Sequence, residues 1–262
     1  MMRDRRTFLL TSFMTLFLLA GAGLAHDPIR IETTTSDQVQ IVGDYWTPIR
    51  GGKSAPVVIL LHMFRSDRSA WNREAIVPLE MAGFAVVRID LRGHGESLKP
   101  EEQRLAQRVR DRDSKLFNAM DQDVEAVVQW LSRRPEVDTG RIGLVGASVG
   151  CSVALDYARH HPSVGAVVLM SPGTRYLGVD SLAHIQEYGK RPLLMLTSEQ
   201  ESRGGFQELL RQAGQSGAQV DSLIFPQENI HGTRMLGKVE GIGERIATFL
   251  KKNLQLPREA MS

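Results

Sequence analysis

From residue 56 onward, short apolar runs alternate with longer amphipathic stretches, and no other feature of the 262-residue chain narrows its fold as much. The runs cover 57–61, 84–89, 142–145, 166–170, 193–196 and 220–225. Rich in Val, Leu and Ile and without polar alternation, they have the pattern of strands buried on both faces. Between them the sequence predicts helices over 69–81, 118–132, 149–160, 181–188 and 205–213, with a last one over 242–254. In 123–131, for example, Val124, Val127, Val128 and Leu131 fall on one helical face. Two earlier segments, 29–33 and 39–45, read as strands of a hairpin or meander. Strand–helix repetition behind an antiparallel edge predicts an α/β fold, with a mostly parallel sheet of about eight strands and helices on both faces. No linker, repeat or charge block divides it, so 26–262 reads as one domain. The charge-rich stretch 99–115 reads as a solvated loop and helix.

Composition removes several function classes. With 42% hydrophobic and 24% charged residues, the chain can bury a core. A lone cysteine, Cys151, rules out an intrachain disulfide or a cysteine-cluster zinc site and reads as a small buried residue. The small basic excess sits in residues 1–25, which hold Arg3, Arg5 and Arg6 against Asp4, and without them acidic and basic residues are equal in number. A nucleic-acid partner is therefore not expected. Those residues have the form of a signal peptide. Met1–Arg6 is charged, 8–22 is apolar, and Gly23 and Ala25 precede His26 at the spacing a signal peptidase prefers. Arg5-Arg6 followed by Thr7-Phe8-Leu9 resembles a bacterial twin-arginine export signal, which implies a periplasmic or secreted protein. The alternative is an uncleaved anchor helix over 8–25. No other segment is long and apolar enough to span a bilayer, so no membrane association is expected after cleavage.

Gly146-Ala147-Ser148-Val149-Gly150 fits G-x-S-x-G and lies between a buried strand and a helix, the context of a nucleophile elbow. Such a turn crowds its flanks, so the residues two before and two after the serine must be small. The helix N-terminus also favours negative charge developing near Ser148. A serine needs a base, and the candidate among seven histidines is His231, which follows the last strand. Strand C-terminal ends are where sites form in such sheets. His160 and His161 end a helix, and His184 lies on another. The acid that orients the base should follow strand 193–196, where Glu201 is the first choice and Glu199 the second.

On these residues the chain resembles the α/β-hydrolase family across 29–254. Leu60-Leu61-His62-Met63-Phe64 is similar to the family's strand-end His-Gly-x motif, and Asp90-Leu91-Arg92-Gly93-His94-Gly95-Glu96-Ser97 resembles its D-x-R-G-x-G-x-S segment. The resemblance implies a triad of Ser148, Glu201 and His231. It also implies oxyanion donors at the backbone N–H groups of Val149 and Phe64, with Met63 as an alternative, and structural roles for His62 and His94. Met63 stands where the family has Gly, so a positive φ there would be strained, and Glu201 stands where Asp is commoner. The short build is most like dienelactone-hydrolase-like and simple esterase members, although dienelactone hydrolases use Cys where this chain has Ser. The connection 171–191 leaves no room for a sizeable cap domain, which implies an open site for a small or extended acyl substrate. The leading expectation is an exported serine hydrolase of carboxylic esters, needing no cofactor or metal. Alternatives are a peptidase, amidase or acyltransferase on the same triad and, from another class, a non-catalytic hydrolase-fold binding protein. Oligomeric state is left open.

Overall fold

The computed structural model describes residues 27–49 and 54–254, so the signal-like segment 1–25 and His26 lie outside the described residues. The chain opens with β1 (Ile29–Thr34) and β2 (Gln40–Trp46), then β3 (Ala55–Leu61), α1 (Arg73–Met81) and β4 (Ala85–Ile89). Three helices follow, α2 (Leu105–Arg110), α3 (Ser114–Phe117) and α4 (Asp121–Leu131). Next come β5 (Val137–Ala147), α5 (Val149–His160) and β6 (Val164–Met170), then a small hairpin of β7 (Arg175–Tyr176) and β8 (Val179–Asp180). The remainder is α6 (Ser181–Tyr188), β9 (Pro192–Ser198), α7 (Gly205–Gln215), β10 (Gln219–Phe225) and α8 (Ile242–Leu254).

Eight strands form one sheet in the order β1-β2-β4-β3-β5-β6-β9-β10. Pairing is antiparallel for β1–β2 and β2–β4 and parallel from β4 to β10. All seven residues of β3 are buried, and each large aliphatic among them contributes about 1.5–3 kcal/mol by leaving water. One apolar layer lies between the sheet and α4–α7, the other between the sheet and α1 and α8. Between β6 and β9 stand only the β7–β8 hairpin and α6, so no sizeable cap covers the C-terminal edge of the sheet.

Four expectations change. The run 220–225 is not buried on both faces. As β10 it forms the sheet edge with a mostly exposed pattern, and Ile224 is 44% exposed. Its β-branched and apolar residues meet α7 and α8 only in part. The helix expected over 69–81 is split, because the fully buried Trp71 turns the chain and Asn72 starts α1 afresh by accepting the Glu74 N–H at 3.0 Å. The helix expected over 118–132 is the single helix α4 but starts later, at Asp121, because Asn118 closes the separate short helix α3, whose start Asp113 caps by accepting the Lys115 N–H at 2.9 Å. Within 99–115, Leu105 and Val109 of α2 are buried, so that stretch is a packed amphipathic helix with a charged outer face.

Candidate active site

Ser148 lies between β5 and α5 with φ 52° and ψ −114°, a conformation that costs a non-glycine residue about 1–3 kcal/mol. Its N–H donates to the Met170 carbonyl at 2.9 Å, and its own carbonyl accepts from the Cys151 N–H at 2.9 Å. A Cβ on Gly146 would collide with the Gly150 carbonyl, and one on Gly150 with the Leu61 carbonyl. Both glycines are thus required because α5 turns back against β5 and the end of β3. The Ser148 side chain makes no capping hydrogen bond to its helix. Val149 is the first residue of α5, so its N–H has no partner within the helix.

Beyond β3, the His62 ring is fully buried. Its Nε2 accepts the Leu91 N–H at 3.0 Å, so Nδ1 carries the proton and donates to the Met63 carbonyl at 2.8 Å. Burial above all, with His94 adding to it, pushes the His62 pKa down to about 3. Because a trans peptide opposes C=O and N–H, fixing the Met63 carbonyl on His62 turns the Phe64 N–H the other way. The strain expected at Met63 does not arise, because the positive φ of this turn, 56°, falls on Arg65. Met63 instead packs by its Sδ within 3.1 Å of where a Gly232 Cβ would stand, and the Ala147 Cβ lies 3.4 Å from the same point. The His231–Gly232 corner therefore presses directly on the elbow.

His231 and Glu201 come together. His231 Nδ1 lies 2.6 Å from Glu201 Oε1, both side chains about one-third exposed. With Nδ1–H donating, Nε2 is left as the basic atom. Burial would raise the Glu201 pKa, but hydrogen bonding from His231 and from Ser171, with Arg234 nearby, holds it below the ordinary carboxylate value. Ser171 exerts this effect although Glu201 Oε2 has no hydrogen bond of ordinary geometry. Glu199 stays exposed and is tied into the turn by its backbone, its N–H donating to the Phe225 carbonyl at 2.9 Å.

Two residues of this edge were missed in the sequence. Ser171, which follows β6 with φ 55°, accepts the Gly232 N–H at 3.0 Å and so couples the His231 corner to the Glu201 carboxylate. Tyr176, on the β7–β8 hairpin, sets its ring 6.3 Å from that of His231 at 87°. Being the residue after a strand on the edge that carries Ser148 and Glu201 was the only signal for Ser171. Tyr176 sits in a connection with no periodicity at all. Among the described residues, His161 and His184 lie apart from this corner. His161 stacks on Tyr157 with centroids 3.8 Å apart, and His184 Nε2 lies 3.3 Å from Asp156. Cys151 is fully buried, and its Sγ donates to the Gly146 carbonyl at 3.1 Å. Among the described residues, no group of three His, Cys, Asp or Glu side chains could hold a metal ion, and no helix is long and apolar enough to cross a membrane.

The family model for the alpha/beta hydrolase fold matches residues 56–194. An uncharacterised protein of Mycobacterium tuberculosis is 34% identical over 141 residues, which is 53% of this chain and 44% of that protein. The chain thus spans less than half the length of that relative. Among solved structures, a Pyrococcus furiosus esterase superposes with a TM-score of 0.69 at 21% identity, covering 87% of this chain and 92% of the esterase. A dienelactone hydrolase from Anabaena variabilis gives 0.60 at 21% identity, covering 88% of this chain and all of that enzyme. At such identities these likenesses establish the fold.

Proposed function

The chain belongs to the alpha/beta hydrolase fold family, and from that premise we propose that it is a serine hydrolase cleaving carboxylic esters through an acyl-enzyme on Ser148. The observation that carries this reading is the 2.6 Å contact between His231 Nδ1 and Glu201 Oε1, on a corner packed against a strained serine turn. His231 Nε2 takes the Ser148 proton as Oγ attacks the carbonyl carbon. Glu201 holds the imidazole in the productive tautomer and stabilises its cation. The N–H groups of Phe64 and Val149, with that of Met63 as the alternative to Phe64, receive the oxyanion. His231 then gives its proton to the leaving alcohol, and water releases the acid by the reverse sequence. The uncapped edge favours small or extended acyl groups. The signal-like residues 1–25 add the proposal of an exported protein whose remaining residues, 26–262, form one hydrolase domain in the periplasm or outside the cell.

A fluorophosphonate probe read by intact mass, paired with p-nitrophenyl acetate and butyrate turnover, tests the reading. The wild-type protein should take one adduct and hydrolyse both esters. Ser148→Ala should take none, and Ser148→Ala and His231→Ala should each lose about 10³-fold or more in kcat. A folded wild-type protein with neither adduct nor turnover would sink the reading and favour a binding protein.

A further inference from the structure

The β7–β8 hairpin stands where larger insertions would cap the site, and it delivers one polar atom to the elbow. The Tyr176 phenol donates to the Ser171 carbonyl at 3.1 Å, and the Ser148 hydroxyl lies near enough to oppose the rise that burial imposes on the phenol's pKa. Its ring stands edge-on to His231. The packing is specific, because a Cβ on Gly173 would meet the Tyr176 ring at 2.8 Å, so that residue must be Gly for the ring to fit. Burial, with Cys151 and Glu201 adding to it, pushes the phenol well above its ordinary pKa, so it remains a donor and does not act as a base.

In the reaction proposed above, the leaving oxygen must lie within reach of His231 Nε2 and beside Ser148 Oγ. Tyr176 borders both residues. We propose that Tyr176 is a further catalytic residue, whose phenol O–H donates a hydrogen bond to the leaving-group oxygen as the ester C–O bond breaks. The bond electrons pass to that oxygen, the proton on His231 Nε2 moves to it, and Tyr176 keeps its own proton. The resting bond to the Ser171 carbonyl is long for O–H···O, whereas a bond to a developing alkoxide is charge-assisted, shorter and about twice as strong. Rotation of one hydroxyl therefore exchanges a weak neutral bond for a strong one at the moment charge appears.

The proposal rests on the serine-hydrolase reading, and its test uses acetates of increasingly basic leaving groups, from p-nitrophenol through phenol and trifluoroethanol to ethanol. Tyr176→Phe keeps the ring and removes the donor, with folding checked by circular dichroism. Its kcat/KM should fall about tenfold or more for ethyl acetate and less than about threefold for p-nitrophenyl acetate, whose leaving group needs little help. Tyr176→Leu, also without the hydroxyl, should show the same dependence on leaving-group basicity. A uniform loss across the series, or none, would overturn the assignment while leaving the serine mechanism intact. Absence of turnover for every ester by the wild-type protein would overturn both.

Discussion

At the scale of single residues, Glu201 and Glu199 pose the sharpest contrast. They stand two positions apart in one loop, yet only Glu201 reaches Nδ1 of His231, at 2.6 Å. The sequence names both, with Glu201 first, but it has no means of showing which one meets His231, since that depends on how the turn after β9 closes. That turn is set by the Glu201 N–H bonding back to Ser198, at 3.1 Å to its carbonyl and 3.2 Å to its hydroxyl. It carries Glu201 inward and leaves Glu199 in solvent. Ser171 is illegible for a similar reason, because its tie to Gly232 spans 61 positions of chain. Glu201→Gln keeps the shape but removes the charge facing the imidazole, so kcat for p-nitrophenyl butyrate should drop about 10²–10⁴-fold. Glu199→Gln should stay within about threefold of wild type, as a solvated substitution does. Equal losses in the two variants would mean that the orienting acid is misassigned.

At the scale of elements, the strand–turn–helix of β5 and α5 is the part that sequence fixes most firmly. The predicted helix 149–160 coincides with α5, Val149–His160, because small residues flank the turn and the chain cannot open it without losing β3 contacts. The edge strand β10 was legible as a strand but not as an edge, since apolar content alone does not count how many neighbours a strand has. Glycines separate the two kinds of constraint. A Cβ on Gly150 would meet the Leu61 and His62 carbonyls, which belong to β3 and the turn beyond it and cannot step aside. A Cβ on Gly214 of α7 meets nothing within 4 Å. Gly214→Ala should therefore stabilise the protein by about 0.5–1 kcal/mol, through reduced backbone freedom in the unfolded chain and better helix propensity. Gly150→Ala should cost about 1–3 kcal/mol or more by overpacking. Thermal unfolding of the two variants checks the opposite signs, and a stabilised Gly150→Ala would refute the steric account of the elbow.

At the scale of the molecule, the segment from Asp90 to Ser97 fastens the antiparallel edge to the parallel sheet. The Asp90 carboxylate accepts the Arg68 N–H at 2.7 Å and the Glu96 N–H at 2.8 Å. Arg92 joins Asp123 of α4 at 2.7 Å to Asp37 of the β1–β2 turn at 2.6 Å, and Ser97 Oγ accepts the Val42 N–H at 2.9 Å. His62 docks on this junction through Leu91 and sets its ring 4.9 Å from that of His94. Burial lowers the pKa of both rings, that of His62 from 6.5 to about 3. A histidine whose native pKa lies below its unfolded value stabilises the fold fully at pH above the unfolded value. As pH falls from 6.5 toward 3, the unfolded chain takes up a proton that the native site refuses, so stability declines through that window and levels off below it. His62 then costs about 1.4 kcal/mol per pH unit, which removes about 2 kcal/mol by pH 5, and His94 acts in the same direction. The carboxylates held below their ordinary values, among them Asp37 and Asp67, weaken the fold only at lower pH, since their unfolded values lie near 3.8. The difference between wild type and His62→Gln, each unfolded by urea at pH 7 and pH 5, isolates the His62 contribution, because groups that titrate in the opposite sense, such as the buried Asp123 with its pKa pushed up to about 7, are common to both proteins. His62→Gln should begin less stable at pH 7, because it disturbs the bonds to Met63 and Leu91, yet lose about 2 kcal/mol less than wild type on acidification. An identical acid loss in the two proteins would show that the His62 ring is protonated in the native fold at pH 5, and that the junction tolerates the charge its burial argues against.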